Sequence, residues 1–280
     1  MGFTIYSNSR LSVDSLKSFF ELLWNERNLN EELKRADNMQ KEFINIAAHE
    51  LRNPIQPILG LSEVLYTKIK DTEQRQLLDA ITRNAKRLQQ LTEDILDVSK
   101  IETQSLKLKK EHFNLNDVIS NAVRDYTKHI EKGSSNSNLK LFYKPAADDM
   151  LSVVIEADKA RLAQVISNLL SNAVKFTKKG TIFISTEKKD NHILVSIKDT
   201  GTGIDPEILP RLFTKFATKS FEGTGLGLFI SKSIIENHGG RILAENNADG
   251  NGATFSFSIP IISTQQTNMK LVDYSYDNMI

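Results

Sequence analysis

Apolar residues recur at helical spacing through most of the first hundred positions. Leu16, Phe19, Phe20, Leu23, Leu29 and Leu33 predict an amphipathic helix over Leu11–Asn38. A longer series, Phe43, Ala47, Leu51, Pro54, Ile58, Leu61 and Leu65, steps by fours and threes. A polar break at Lys70–Glu73 separates it from Leu77, Ile81, Leu88, Leu91, Ile95 and Val98. Alternating steps of three and four mark a helix seam. Two antiparallel helices joined by a short turn form a hairpin with one apolar face. Alone, that face stays wet; two copies paired into a four-helix bundle cover it. The hairpin therefore predicts a homodimer.

Beyond Ile101 the pattern changes. Helices are expected at Asn116–Lys128, Asp158–Phe176 and Phe229–Asn237, and a Ser/Asn-rich turn at Gly133–Asn138. Strands are expected at Leu139–Tyr143, Leu151–Ile155, Thr181–Glu187, His192–Lys198, Arg241–Glu245 and Ala253–Ile259. Strands and helices interleave without regular βαβ spacing, which favours an α+β sandwich over a doubly wound sheet. The polar stretch after Ile261 reads as a loose tail. Expected boundaries are an N-terminal helix at 1–38, the hairpin at 39–105, the sandwich at 106–262 and the tail at 263–280.

Composition narrows the function. With 36 Lys+Arg against 35 Asp+Glu, the net charge of +1 lacks the basic excess of a non-specific nucleic-acid binder. The absence of cysteine excludes thiolate catalysis, disulfides and Cys-ligated metal. No run of eighteen or more apolar residues and no signal-peptide layout is present, so a reduced, cytoplasmic location is expected.

His49 lies in the string HELRNP (49–54). At about 100° per residue it points roughly 160° away from the apolar stripe and should be exposed. Exposure suits a nucleophile whose electrophile arrives from another domain. Glu50 can fix the imidazole tautomer by a hydrogen bond, and Asn53, one turn on, can orient a water. Taken alone, an exposed helical histidine is better explained as a solvated surface residue. The zinc-protease motif HExxH fails, because position 53 is Asn. Pro54 and Pro57 should kink the helix just past His49.

The helix 158–176 carries Gln164, Asn168, Asn172 and Lys175 opposite its apolar side. A plain solvated face would hold Glu, Lys and Arg, which are better helix formers than Asn. Two Asn and a Lys instead suggest oxygens for Mg²⁺ and a cation for phosphates, although a plain amphipathic helix remains an alternative. In DTGTGI (199–204), Asp199 can accept from an exocyclic amine, while Gly201 and Gly203 let backbone approach a flat ring. In GTGLGL (223–228), glycine amides open a helix and suit a polyphosphate. Either cluster alone could be a turn. Neither matches the P-loop or the dinucleotide fingerprint, and no protein-kinase set is present.

Taken in order, HELRNP, NLLSNAVKF (168–176), DTGTGI, the pair Phe213 and Phe216, and GTGLGL resemble the sensor histidine kinases of two-component signalling. The resemblance covers about residues 39–260 and implies a dimeric four-helix bundle followed by an α/β-sandwich, GHKL-type ATPase domain. It implies that His49 is the phosphoacceptor, Glu50 its base and Asn53 a water-positioning residue in the reverse, phosphatase direction. It assigns Asn168 and Asn172 to metal and phosphates, with Asn172 as the Mg²⁺ ligand, and Lys175 to phosphate. Asp199 would read the adenine of ATP, with Gly201 and Gly203 beside the ring. Gly223, Gly225, Leu226 and Gly227 would form the hinge of a lid over about 205–222 and touch phosphate. Thr254 would hold a water near the base. The implied partner is a response regulator receiver domain.

Two positions depart from the family. Relatives often carry an arginine after the second lid phenylalanine; here Phe216 is followed by Ala217, Thr218 and Lys219, which makes Lys219 the substitute cation. Only about forty residues precede the phosphoacceptor region, so the chain is expected either to be a fragment of a longer sensor kinase or to take its input from a separate sensor protein. The alternatives are a GHKL-type ATPase or clamp without autophosphorylation, which leaves the His-Glu pair unexplained, and a phosphotransfer scaffold, which leaves the nucleotide motifs unexplained.

Overall fold

The computed structural model describes residues 10–132, 138–145, 154–218 and 223–261. Most of the turn expected at 133–138, the first part of the strand expected at 151–155, Lys219 and the tail expected at 263–280 lie outside the described residues. The chain divides into two compact units, Met1–Ser99 and Lys100–Ile280. Among the described residues no helix is long and apolar enough to cross a membrane.

The first unit is built on α1 (Arg10–Lys68) and α2 (Thr72–Glu102). The helix expected at 11–38 and the one bearing His49 are a single element, and it continues through Pro54 and Pro57. Between α1 and α2, Asp71 starts the second helix: its Oδ1 accepts the Gln74 N–H at 2.9 Å and its carbonyl accepts that of Arg75 at 3.1 Å. Arg75 reaches back, donating from Nε to the Ile69 carbonyl at 2.8 Å, with its guanidinium 5.5 Å from the Tyr66 ring centroid.

Buried positions recur every seven residues along the hairpin, Ala48, Ile55 and Ser62 on α1 and Leu78, Ala85, Thr92 and Ser99 on α2, and near the end of α2 Asp94, Leu96 and Asp97 are buried as well. This seam between the two helices is distinct from the expected apolar face, which stays wet in the single chain as expected. The predicted stripe is largely in solvent, with Leu51, Ile58, Leu61, Leu65, Leu77, Ile81, Leu88 and Ile95 all exposed. The buried seam lies about 80° around α1 from that stripe. Small side chains there let helix backbones approach closely, and the bulky ones remain on a second face.

The second unit runs β1 (Glu111–Asn114), α3 (Leu115–Lys132), β2 (Leu139–Lys144), β3 (Val154–Ala157), α4 (Lys159–Phe176), β4 (Gly180–Lys189) and β5 (His192–Asp199). A short 3-10 turn, Leu209–Arg211, then precedes α5 (Gly227–Asn237), β6 (Arg241–Asn246) and β7 (Ala253–Pro260). Five strands form a mixed sheet in the order β2-β4-β5-β7-β6, with only β2 and β4 parallel. β1, which the sequence pattern did not announce, pairs antiparallel with β3 as a separate ribbon.

The helices pack in the order α3, α4, α5 and cover the sheet, giving the expected two-layer sandwich. Strand alternation supplies one wall of the core: Ile193, Val195 and Ile197 on β5 register with Ile259, Phe257 and Phe255 on β7. The apolar stripe of α4 supplies the other, with Leu162, Val165, Ile166, Leu169 and Leu170 sealed. Asp158 caps α4, accepting the Arg161 N–H at 3.1 Å. The sealed side of α4 leaves its polar stripe facing away from the sheet.

Candidate functional site

On the hairpin, His49, Glu50 and Asn53 are all exposed, and the side chain immediately before them, Ala48, is buried in the seam. The imidazole is therefore open to any approaching group. No hydrogen bond joins His49 to Glu50. Among the described residues no group of three or more His, Cys, Asp or Glu is placed to hold a metal ion.

In the second unit, α4 carries three candidates on successive turns. Asn168 meets the start of α5, its Nδ2 donating to Ser231 Oγ at 2.8 Å. The approach is close enough that a Cβ on Gly227 would stand 2.5 Å from Asn168 Oδ1 and push the amide aside. Asn172 is half-buried, and its amide has no hydrogen-bond partner among the described residues. Lys175 lies over the Phe176 ring, 5.3 Å from its centroid. Its Nζ sits 3.5 Å from where a Cβ on Gly223 would be. The structure thus brings Asn168 and Lys175 to the 223–227 loop. Leu226 anchors that loop by its own burial, and Gly225 backs onto Phe216 and Ala217.

Asp199 ends β5 on the core side of the sheet and is buried. Its Oδ1 accepts the Gly201 N–H at 2.8 Å, with the Thr177 hydroxyl and the Ala253 N–H each at 3.4 Å. Oδ2 accepts nothing among the described residues and is free to take a further donor. The Phe176 carbonyl at the end of α4 accepts the Thr202 N–H at 3.2 Å, tying the 199–204 loop to the helix that bears Lys175. Gly201 and Gly203 lie within that loop.

Thr254 is not where the resemblance put it. It registers with Lys198, one residue out of phase with Asp199, and so occupies the opposite face of the sheet. Its hydroxyl donates to Asn247 Oδ1 at 2.7 Å. The residue on the Asp199 side is Ala253, which has no hydroxyl. Lys219 lies outside the described residues; the lysine described in this loop, Lys215, pairs with Glu102 and lies 5.5 Å from the Phe229 ring centroid. Thr177, Ser231, Asn246 and Asn247 were not singled out from the sequence. The adjacent asparagines before the glycines at 250 and 252 were the only local signal for the last two.

A polar stripe of α4 set beside a glycine loop opening α5, with a buried carboxylate at the end of β5, fits an ATPase domain of a recognised type. Residues 157–263 match the family model of the histidine kinase-, DNA gyrase B-, and HSP90-like ATPase, and residues 39–104 match that of the His Kinase A (phospho-acceptor) domain. The chain belongs to the sensor histidine kinase family. It is 30% identical over 277 residues to the sensor histidine kinase RcsC of Escherichia coli (strain K12), covering 96% of this chain and 28% of RcsC. It is similar to full-length ShkA in complex with AMPPNP (TM-score 0.63, 25% identity, covering 79% of this chain and 46% of that one). It is also similar to ThkA in complex with the response regulator protein TrrA (TM-score 0.51, 32% identity, covering 79% and 61%). The chain spans less than a third of the length of the curated relatives it matches.

Proposed function

We propose that this chain is the kinase core of a two-component system: it transfers the γ-phosphoryl group of ATP to His49 and then to an aspartate of a response regulator. The observation that carries the reading is the open imidazole of His49 on a helix whose bulky apolar face points elsewhere. In the transfer, a ring nitrogen of His49 forms a bond to the γ-phosphorus as the bond to the β,γ-bridging oxygen breaks and ADP leaves. Glu50 takes the imidazole proton. Most of the rate enhancement comes from positioning and charge neutralisation.

The second unit supplies the grip. Asp199 Oδ2 accepts the adenine 6-amino group, with Gly201 and Gly203 beside the ring. Lys175 and the amides of Gly223, Gly225 and Gly227 meet phosphate, and Asn168 is held at that loop through Ser231. Mg²⁺ suits the same place, because the unpartnered Asn172 amide offers one neutral oxygen and this ion takes few protein ligands beside phosphate and water. Bound there, it would neutralise charge on the phosphate oxygens. ShkA was solved with AMPPNP and ThkA with a response regulator, and both support the assignment. The exposed leucine and isoleucine face of the hairpin supports a homodimer. In the reverse direction Asn53 orients water for a phosphatase step.

The test is incubation with γ-labelled ATP and Mg²⁺, followed by addition of receiver domains. The wild type takes up acid-labile, base-stable label; His49→Gln takes up none while its affinity for ATP stays within about twofold. Label retained in His49→Gln removes His49 from the reaction. ATP turnover with no label on the protein selects an ATPase instead.

A further inference from the structure

Two adjacent asparagines at the end of β6 hold both ends of the 199–204 loop. Asn246 places its side-chain amide against the backbone of Ile204 as a neighbouring strand would. Its Oδ1 accepts the Ile204 N–H at 2.6 Å and its Nδ2 donates to the Ile204 carbonyl at 2.8 Å. Gly203 permits this: at φ +73° it turns the chain, and a Cβ there would stand 2.9 Å from Asn246 Oδ1. Asn247 holds the other end. Its buried Nδ2 donates to the Asp199 carbonyl at 2.8 Å and to the Asn251 carbonyl at 2.6 Å, while its Oδ1 accepts from Thr254 at 2.7 Å. The Asn247 N–H donates to the Gly252 carbonyl at 3.1 Å, closing the turn between β6 and β7.

We propose that Asn246 and Asn247 are positioning residues for nucleotide-base selection, clamping the loop so that Asp199 Oδ2 and the Gly203 peptide meet a 6-aminopurine in fixed geometry. This rests on the nucleotide reading above. Asp199 has one carboxylate oxygen engaged and one free. An amine at the purine 6-position donates to the free oxygen; a 6-oxo group opposes it with a second acceptor. That discrimination requires the loop to stay put, because a loop free to withdraw lets the wrong purine in beside water. Fixing a loop in its binding form also raises affinity, since the measured dissociation constant is the intrinsic one divided by the competent fraction. Asn246 is exposed and lies at the end of an edge strand, so its amide can be changed without opening the core.

The experiment uses the full chain and measures equilibrium binding of ATP and GTP together with amide exchange at 201–204 without nucleotide. Asn246→Ala weakens ATP about tenfold, lowers the ATP/GTP preference several-fold and speeds exchange at Gly203 and Ile204, at an unchanged melting temperature. Asn246→Asp keeps the acceptor for the Ile204 N–H but sets a carboxylate against its carbonyl; it follows Ala rather than wild type. Unaltered preference and exchange in both variants overturn the clamp while leaving the nucleotide reading intact. A wild type that binds neither nucleotide overturns that reading, and with it the clamp.

Discussion

In the hairpin the side chains shielded from water are mostly small, among them Ala48, Ser62, Ala85, Thr92 and Ser99, whereas Leu61 and Leu77 are each 63% exposed. In the second unit the order is reversed. Leu162, Leu169, Leu170 and Phe257 are sealed, and the outer face of β7 carries Thr254, Ser256 and Ser258. One region has finished its core within a single chain; the other has finished only the seam between its own two helices. The hairpin's remaining apolar face is large, continuous along both helices and periodic, which is what a second hairpin covers and what an ordinary soluble surface lacks. The second unit closes its own core, whereas the hairpin keeps an apolar face that a second copy of the chain would cover.

The largest effect should come from breaking the assembly. Ile58→Glu combined with Leu88→Glu sets four carboxylates into the interface of a dimer, each costing roughly 2 kcal/mol or more unless it stays protonated. The wild type should run as a dimer by light scattering and the variant as a monomer at the same concentration. Both should bind ATP alike, because neither position lies in the second unit. A dimer surviving both substitutions would remove the leucine and isoleucine face from the interface. Next in size is Phe257→Ala. It empties a site with no solvent exposure and should cost about 3–5 kcal/mol. The loss should appear as a lowered thermal transition of the second unit with the hairpin's transition unmoved. If both moved together, the units would not be energetically separate.

The same contrast explains what could be read in advance. α4 was legible because its apolar positions repeat at 3.6 residues, Asp158 caps it, and its two faces carry different chemistry. The hairpin was legible as a hairpin, but its seam was not: large residues dominate any periodicity, and here they mark an exposed face rather than the seam of Ala48, Ile55 and Ser62. β1 escaped notice because its four residues become a strand only by pairing with β3, some forty positions on. Asp199, Asn168 and Lys175 were singled out from residue chemistry alone, and the fold brings the last two to the 223–227 loop. Thr254 went wrong through the two-residue period of a strand, where one step reverses the face. Asn246 and Asn247 meet the 199–204 loop only once β6 and β7 fold back onto it, so the local Asn-Asn and glycine pattern marked a turn but not its partners.

A smaller effect separates the units by pH. His238 ends α5 and is buried, with Nδ1 bonded to the Ile234 carbonyl at 2.8 Å and Nε2 accepting the Asp158 N–H at 3.0 Å. That arrangement uses the neutral ring, and burial holds its pKa below the ordinary 6.5, with Lys110 adding to the depression. The unfolded chain therefore binds the proton first. The stability this neutral ring contributes is present above pH 6.5 and is lost as pH falls from there through the lower folded-state value. The second unit of the wild type should lose more melting temperature between about pH 7 and 5 than His238→Gln does. Equal losses would mean the ring takes up its proton without strain in the fold.

The smallest effect lies at the turn between α1 and α2. Asp71 and Asp158 both cap helices, but in different settings. Asp158 is buried and also accepts the Lys109 N–H through Oδ2 at 2.8 Å, so it joins segments far apart in sequence. Asp71 is exposed and bonds only within its own helix start, to the Gln74 N–H and the Arg75 N–H. Its side chain offsets one unpaired donor and favours the positive end of the helix dipole. The Arg75 bond to the Ile69 carbonyl does not depend on it. Asp71→Ala should therefore cost the hairpin about 1 kcal/mol, read as a slightly lowered transition of that unit in a dimer that still forms. Asp71→Asn, which keeps an acceptor, should recover most of the loss. Were Asp71→Ala to dissociate the dimer, the turn would be part of the interface, and the division between a seam closed within the chain and a face closed by a second copy would have to be redrawn.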